Sequence, residues 1–216
     1  MLDEKQFQKR ISDTAIDIFP IDRILPIETV FSFFSQEYTK TNDRNLFFRD
    51  RKFQRLREGY FAMFIALSLN ETSGNKHFLM FPSAKDKDVY ILYPKGEKFG
   101  AYIFDVKEFT NFTESFSVFV EKSIIPKIDF YNLIIATYRK IDNDDLSFLV
   151  SVFKKKDINA KIWIVSAPTE DNDDNEISKV TVINKEGVLY DKNINLNDWI
   201  DKYKTPIVYQ DVVRIV

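Results

Sequence analysis

Apolar and polar positions alternate along this chain in two periods, and the switches between them divide it into elements. "IETVFSFFSQEYTK", after Pro26, carries Val30, Phe33, Phe34 and Tyr38 at helical spacing. This predicts a packing helix within a helical N-terminal region, residues 1–45, with "TNDRN" (41–45) as a break. "FRDRKFQRLREGYFAMFIALSLN" (48–70) reads as one long helix with Phe53, Leu56, Tyr60, Met63, Phe64 and Leu67 in a stripe. From Gly59 onward it is apolar all round, the mark of a buried helix. A strand, "KHFLMFP" (76–82), follows. "DVYILYPKGEKFGAYIFDVKEF" (88–109) then predicts two strands joined by a Pro/Gly turn.

Asn111, with Glu114 three residues on, has the spacing of a capping box and predicts the start of the helix "FTESFSVFVEKSII", which stops before Pro126. "YNLIIATY" (131–138) and "AKIWIVSA" (160–167) are continuous apolar runs, suited to strands buried on both faces. Between them, "DNDDLSFLVSVFKKKD" (142–157) places acids at its start and lysines at its end, as a helix dipole favours. "PTEDNDDNEIS" (168–178) reads as a solvated loop; it lacks the glycine and terminal glutamate spacing of a calcium loop. A hairpin "KVTVINKEGVLYD", a short helix "NLNDWIDKY" and a strand "PIVYQDVVRIV" end the chain. The expected fold is α/β: a central mixed sheet flanked by helices. Residues 1–45 form an N-terminal helical extension, 46–167 a core, and 168–216 a C-terminal α/β extension packed on the same domain.

Composition narrows the chemistry. The chain has 216 residues, enough for a substantial core, and its 21 Phe make that core Phe-rich. It has no Cys, which excludes disulfide scaffolds, Cys-zinc sites and thiol catalysis. A single histidine, His77, excludes multi-histidine metal sites and reads as a strand or turn residue. There is no phosphate-cradling Gly loop, and "GYFAMFIALSL" (59–69), the longest apolar run, is too short to span a bilayer. No N-terminal stretch has the pattern of a signal peptide, so a cytoplasmic location is expected. The net charge of −2 does not announce nucleic-acid binding, although a local basic patch can act whatever the total.

The hairpin at 88–109 carries the candidate chemistry. With a period of two, Asp105 and Lys107 share one strand face. Reflecting Asp88 through Glu97, the centre of the connecting segment, lands at 106, give or take a residue or two, and so beside Asp105 or Lys107. Two carboxylates at such a separation repel unless a proton or cation sits between them. Lys107 supplies one positive charge, and magnesium or manganese, which prefer oxygen ligands, would supply two more. The plain structural alternative is a cross-strand ion pair between Asp88 and Lys107, with Asp105 capping a turn; such a pair contributes about 0–1 kcal/mol at a surface.

An acid at the start of one strand, Asp88, followed by "DVK" (Asp105, Lys107) near the end of the next resembles the motif of the PD-(D/E)XK nuclease superfamily, the restriction-endonuclease-like fold. The resemblance covers roughly residues 48–167 and includes Glu58 in "RLREGYF", where many members place a glutamate on the first core helix. Three departures stand out: Lys87 rather than proline precedes Asp88, Asp105 stands where glutamate is commoner, and no glutamine follows Lys107 at the usual distance. The resemblance implies a Mg2+- or Mn2+-dependent nuclease acting on DNA phosphodiester bonds. Asp88, Asp105 and Glu58 would hold the metal, and Lys107 would act on the water or the transition state. It also admits a homodimer, since many such nucleases pair to cut both strands.

Arg51, Lys52 and Arg55, just before Glu58, are placed to make one basic face, and Arg139 and Lys140 offer a second backbone contact. The competing expectations are a non-catalytic member of the same fold, an unrelated α/β protein-interaction module with a protein partner, and a nucleic-acid binder that does no chemistry.

Overall fold

A computed structural model describes residues 22–41, 47, 48, 50–83, 88–110, 113–128, 132–167, 169, 170 and 176–196. Among the described residues nine strands form one mixed sheet, covered by helices on both faces. The strands are β1 (Leu25–Pro26), β2 (Phe78–Met80), β3 (Val89–Lys95), β4 (Lys98–Phe109), β5 (Asn132–Thr137), β6 (Ile162–Ser166), β7 (Thr169–Glu170), β8 (Glu176–Asn184) and β9 (Gly187–Asn195). They lie in the order β1-β2-β3-β4-β5-β6-β8-β7, with β9 also paired to β8. From β1 to β4 neighbours run antiparallel, β4-β5-β6 run parallel, and β8 returns antiparallel to β6.

The parallel pairs need crossovers, and both crossovers cover the same face. The first holds the short helix α3 (Phe116–Phe119), a five-residue π-helical turn (Val120–Ile124) and a 3-10 turn (Ile125–Lys127). The second is α4 (Asn143–Lys155). On the opposite face lie α1 (Ile27–Lys40) and α2 (Gln54–Ser73). Strand alternation divides β5 cleanly: Ile134 and Ala136 pack toward α2, Leu133 and Ile135 toward α3 and α4.

Helix α2 is buried on every side from Leu56 to Ser68, as its all-round apolar sequence requires. It begins later than 48, because Arg51–Phe53 form a 3-10 turn that the Asp50 carboxylate caps by accepting from the Lys52 N–H at 2.9 Å. It ends at Gly74, whose φ of 69° and N–H bond to the Asn70 carbonyl make a left-handed C-cap. Gly59 lets α1 and the end of β2 approach: a Cβ there would lie 2.8 Å from Phe81 Cζ and 3.2 Å from Val30 Cγ1. Phe34 of α1 stacks on Tyr60 at 3.9 Å, and Phe47 packs against Phe53 at 4.6 Å, so the expected Phe-rich core is present.

Other element boundaries also differ from expectation: the stretch read as a loop, 168–178, holds β7 and the start of β8, which pair with each other. The helix after β4 starts later than expected, at Phe116, and is capped by Ser115, whose hydroxyl accepts from the Val118 N–H; Asn111 lies outside the described residues. That helix also does not run on as α-helix to Pro126. It widens into the π turn, and Pro126 sits inside the 3-10 turn that follows, since proline at an early position needs no N–H partner. Helix α4 matches its charge pattern, with Asp142 as N-cap accepting from the Asp145 N–H at 2.9 Å. The break at 42–45 and the helix and strand expected after 196 lie outside the described residues.

Candidate active site

The geometry starts at a tight turn. Lys95 pairs with Lys98, leaving Gly96 and Glu97 as the two turn residues, and Gly96 adopts the φ of 63° that such a turn needs. The reflection centre therefore lies between Gly96 and Glu97, half a residue earlier than expected, and Asp88 falls opposite Asp105 itself rather than position 106. Its N–H reaches the Phe104 carbonyl at 3.3 Å, extending the ladder one step beyond Val89.

Asp88 does not simply point off the end of β3. One carboxylate oxygen accepts the Val106 N–H at 2.7 Å, taking the place of a backbone partner that β3 no longer offers. This holds the carboxylate against the backbone of β4. On one side stand Asp105 and Lys107, which share the face of Phe109 and the crossover helices. On the other stands Glu58 of α2. Asp88 links the two electrostatically: it comes within hydrogen-bonding reach of the Asp105 carboxyl and its charge is felt at Glu58.

Burial divides the three acids into different states. Glu58 is buried, and desolvation with the nearby Asp88 charge pushes its pKa up to about 8. Gln54, one turn earlier, donates to Glu58 Oε1 at 2.7 Å and partly offsets this. Desolvation and the hydrogen bond with Asp105 raise Asp88 to about 7. Asp105 goes the other way. Burial opposes its ionisation, but hydrogen bonds from Asp88 and Lys107 outweigh it and hold the carboxyl below the usual range. Asp105 is thus the most readily ionised of the three, and Asp88 and Glu58 keep their protons to higher pH than ordinary carboxyls.

Two ammonium groups meet Asp105. Lys107 Nζ bonds Oδ1 and also donates to the Val106 carbonyl at 3.2 Å. Lys127 Nζ, from the 3-10 turn before β5, lies 3.4 Å from Oδ2. Sequence reasoning missed Lys127, because no local pattern separates it from other surface lysines. Only the parallel register, in which Asp105 pairs with Leu133 near the start of β5, brings the end of the crossover level with the acids. Glu108, on the α2 face, belongs to a separate structural pair: buried Arg57 donates to it through Nε at 2.8 Å and Nη2 at 3.2 Å, and to the carbonyls of Phe47 and Asp50.

The basic residues are spread over different surroundings. Arg51 is exposed in the 3-10 turn, and Lys52 lies 3.7 Å from Asp50 and over the Phe53 ring. Arg55, on α2, donates to the Pro82 carbonyl at 3.1 Å and lowers the pKa of Glu58. Arg51 and Lys52 therefore precede the α-helix rather than share a helical face with Arg55. The Arg139 guanidinium lies 4.5 Å over the Phe109 ring and 3.8 Å from Asp145, tied into the fold, while Lys140 is exposed. His77 is buried, and its N–H and ring Nδ1 both contact the Asn70 side chain, a structural role at the end of α2.

The donor set consists of carboxylate oxygens, which suits a hard divalent cation. Among the described residues no three His, Cys, Asp or Glu side chains converge as a ready cage. Asp88 and Asp105 nonetheless make a two-carboxylate pair, and magnesium commonly needs only one or two carboxylates with water and phosphate oxygens. A cleft of about 940 Å3, lined among others by Tyr102, Ile103, Phe104, Asn132 and Trp163, opens farther down β4 and includes none of the four predicted site residues. Among the described residues no helix is long and apolar enough to cross a membrane. The chain matches no known family model, no curated protein and no solved structure.

Proposed function

We propose that this protein is a metal-dependent nuclease that hydrolyses DNA phosphodiester bonds, built on a restriction-endonuclease-like core. The observation that carries the reading is the pairing of Asp88 with Asp105, with Lys107 on the same strand face beside them. The element order supports it: α2, three antiparallel strands, a crossover and a parallel strand, with Glu58 on α2 near enough for the Asp88 charge to raise its pKa.

Asp88 and Asp105 would hold Mg2+ or Mn2+, and Glu58 would help hold the metal or its water from the α2 side. The bound cation supplies Lewis acidity toward a phosphoryl oxygen and makes its water easier to deprotonate. Lys107 stands against Asp105, where its ammonium orients the attacking water or meets the charge that develops on the phosphate. Exposed Arg51 and half-buried Lys52 and Arg55, at the start of the helix that carries Glu58, contact the DNA backbone. Lys140, exposed beyond β5, adds a contact on the other face.

The test is cleavage of plasmid and single-stranded DNA with Mg2+, Mn2+ or EDTA, comparing wild type with Asp105→Ala and Lys107→Ala. Cleavage that needs the metal and falls by about 10²-fold or more in both variants is expected. Equal cleavage by all three proteins refutes the assignment.

A further inference from the structure

We propose that Lys127 is a displaceable counter-ion of this site: it pairs with Asp105 Oδ2, would yield that oxygen to a divalent cation, and would then turn to a phosphate oxygen of the nucleic acid. The inference rests on the nuclease reading and adds a residue that the D…DxK pattern does not contain.

Both oxygens of Asp105 are covered by lysines, Oδ1 by Lys107 and Oδ2 by Lys127. A cation that approaches Asp105 from the Oδ2 side competes with Lys127 for that oxygen. Lys107 is the anchored one: its side chain is 20% exposed and it also donates to the Val106 carbonyl. Lys127 is 53% exposed and stands off at 3.4 Å. It emerges from a 3-10 turn directly after a π-helical turn, a form that often marks functional positions.

Charge balance points the same way. Even with both acids ionised, Asp88 and Asp105 together only offset Lys107 and Lys127, so a divalent cation leaves the site with positive charge to spare. That surplus matches a phosphodiester, and the freed Lys127 ammonium is its most exposed part.

Lys127→Met keeps the stem and removes the charge, and its exposure makes a folding defect unexpected. Mn2+ binding, read by electron paramagnetic resonance of free Mn2+ without DNA, should tighten roughly two- to fivefold, the range set by losing an exposed ion pair. With Mn2+ present, binding to a phosphorothioate-linked DNA duplex should weaken, and the slope of log affinity against log salt should shrink by about one. Lys127→Arg should restore the slope. Unchanged Mn2+ affinity, or an unchanged slope, overturns the role of Lys127 while the nuclease reading stands. Failure of the wild type to bind Mn2+ at all overturns both.

Discussion

Glu58 is an acid buried where water cannot solvate its charge, and replacing it with glutamine tests the electrostatics of the site without any assumption about substrate. The carboxyl has an ordinary pKa of 4.5 and is raised to about 8 in the fold, by desolvation first and then by Asp88. A raised pKa means that the folded state favours the protonated acid. Its contribution to stability is fully present below about 4.5 and is lost progressively as pH rises through about 8. At roughly 1.4 kcal/mol per pH unit, the difference amounts to on the order of 4 kcal/mol at pH 8. A glutamine at this position would be neutral at every pH and could still accept from Gln54. In EDTA, Glu58→Gln should therefore melt higher than wild type at pH 8, by roughly 8–16 °C for a chain of this length, and the two should converge near pH 5. Differential scanning calorimetry across that range reads the effect. A variant that melts at or below wild type at pH 8, or a gap that does not depend on pH, refutes the assignment of a buried, protonated Glu58.

Other perturbations test the scaffold around the site. Gly59→Ala should destabilise by about 1–3 kcal/mol despite the better helix propensity of alanine, because the new Cβ meets fully buried Phe81 and Val30; a rise in the urea midpoint would contradict this. Arg57→Met should cost about 3–5 kcal/mol in denaturant unfolding, since it leaves Glu108 and two backbone carbonyls without their donor, and near-neutral stability would show that the pair is dispensable. Asp142→Ala should cost about 1 kcal/mol by removing the N-cap of α4, with no change in metal binding by calorimetry.

Much of this fold was legible in one dimension. Apolar runs with β-branched residues, such as "NLIIAT" and "IWIVS", become central parallel strands because both their faces must be buried. The acids and lysines of α4 marked its ends because the helix dipole acts locally. The facing of Asp105 and Lys107 followed from strand period alone, and their nearness to Asp88 from the turn. These are short-range consequences of backbone geometry, and a linear pattern contains them.

What the tertiary structure decided depends on distance in space between residues far apart in sequence. It made the Asp88 carboxylate the partner of the Val106 N–H, near Asp105 and with its charge felt at Glu58 on α2. It made Arg57 the buried partner of Glu108, 51 residues away. It carried Lys127 to Asp105 through the crossover and the parallel register. Above all it assigned the protons, because desolvation and Coulomb energies depend on surroundings that no local pattern contains. From the sequence alone, Glu58, Asp88 and Asp105 are three equivalent acids. In the fold, two lysines and Asp88 hold the Asp105 carboxyl below the usual range, while desolvation first, and then the neighbouring acids, raise the other two.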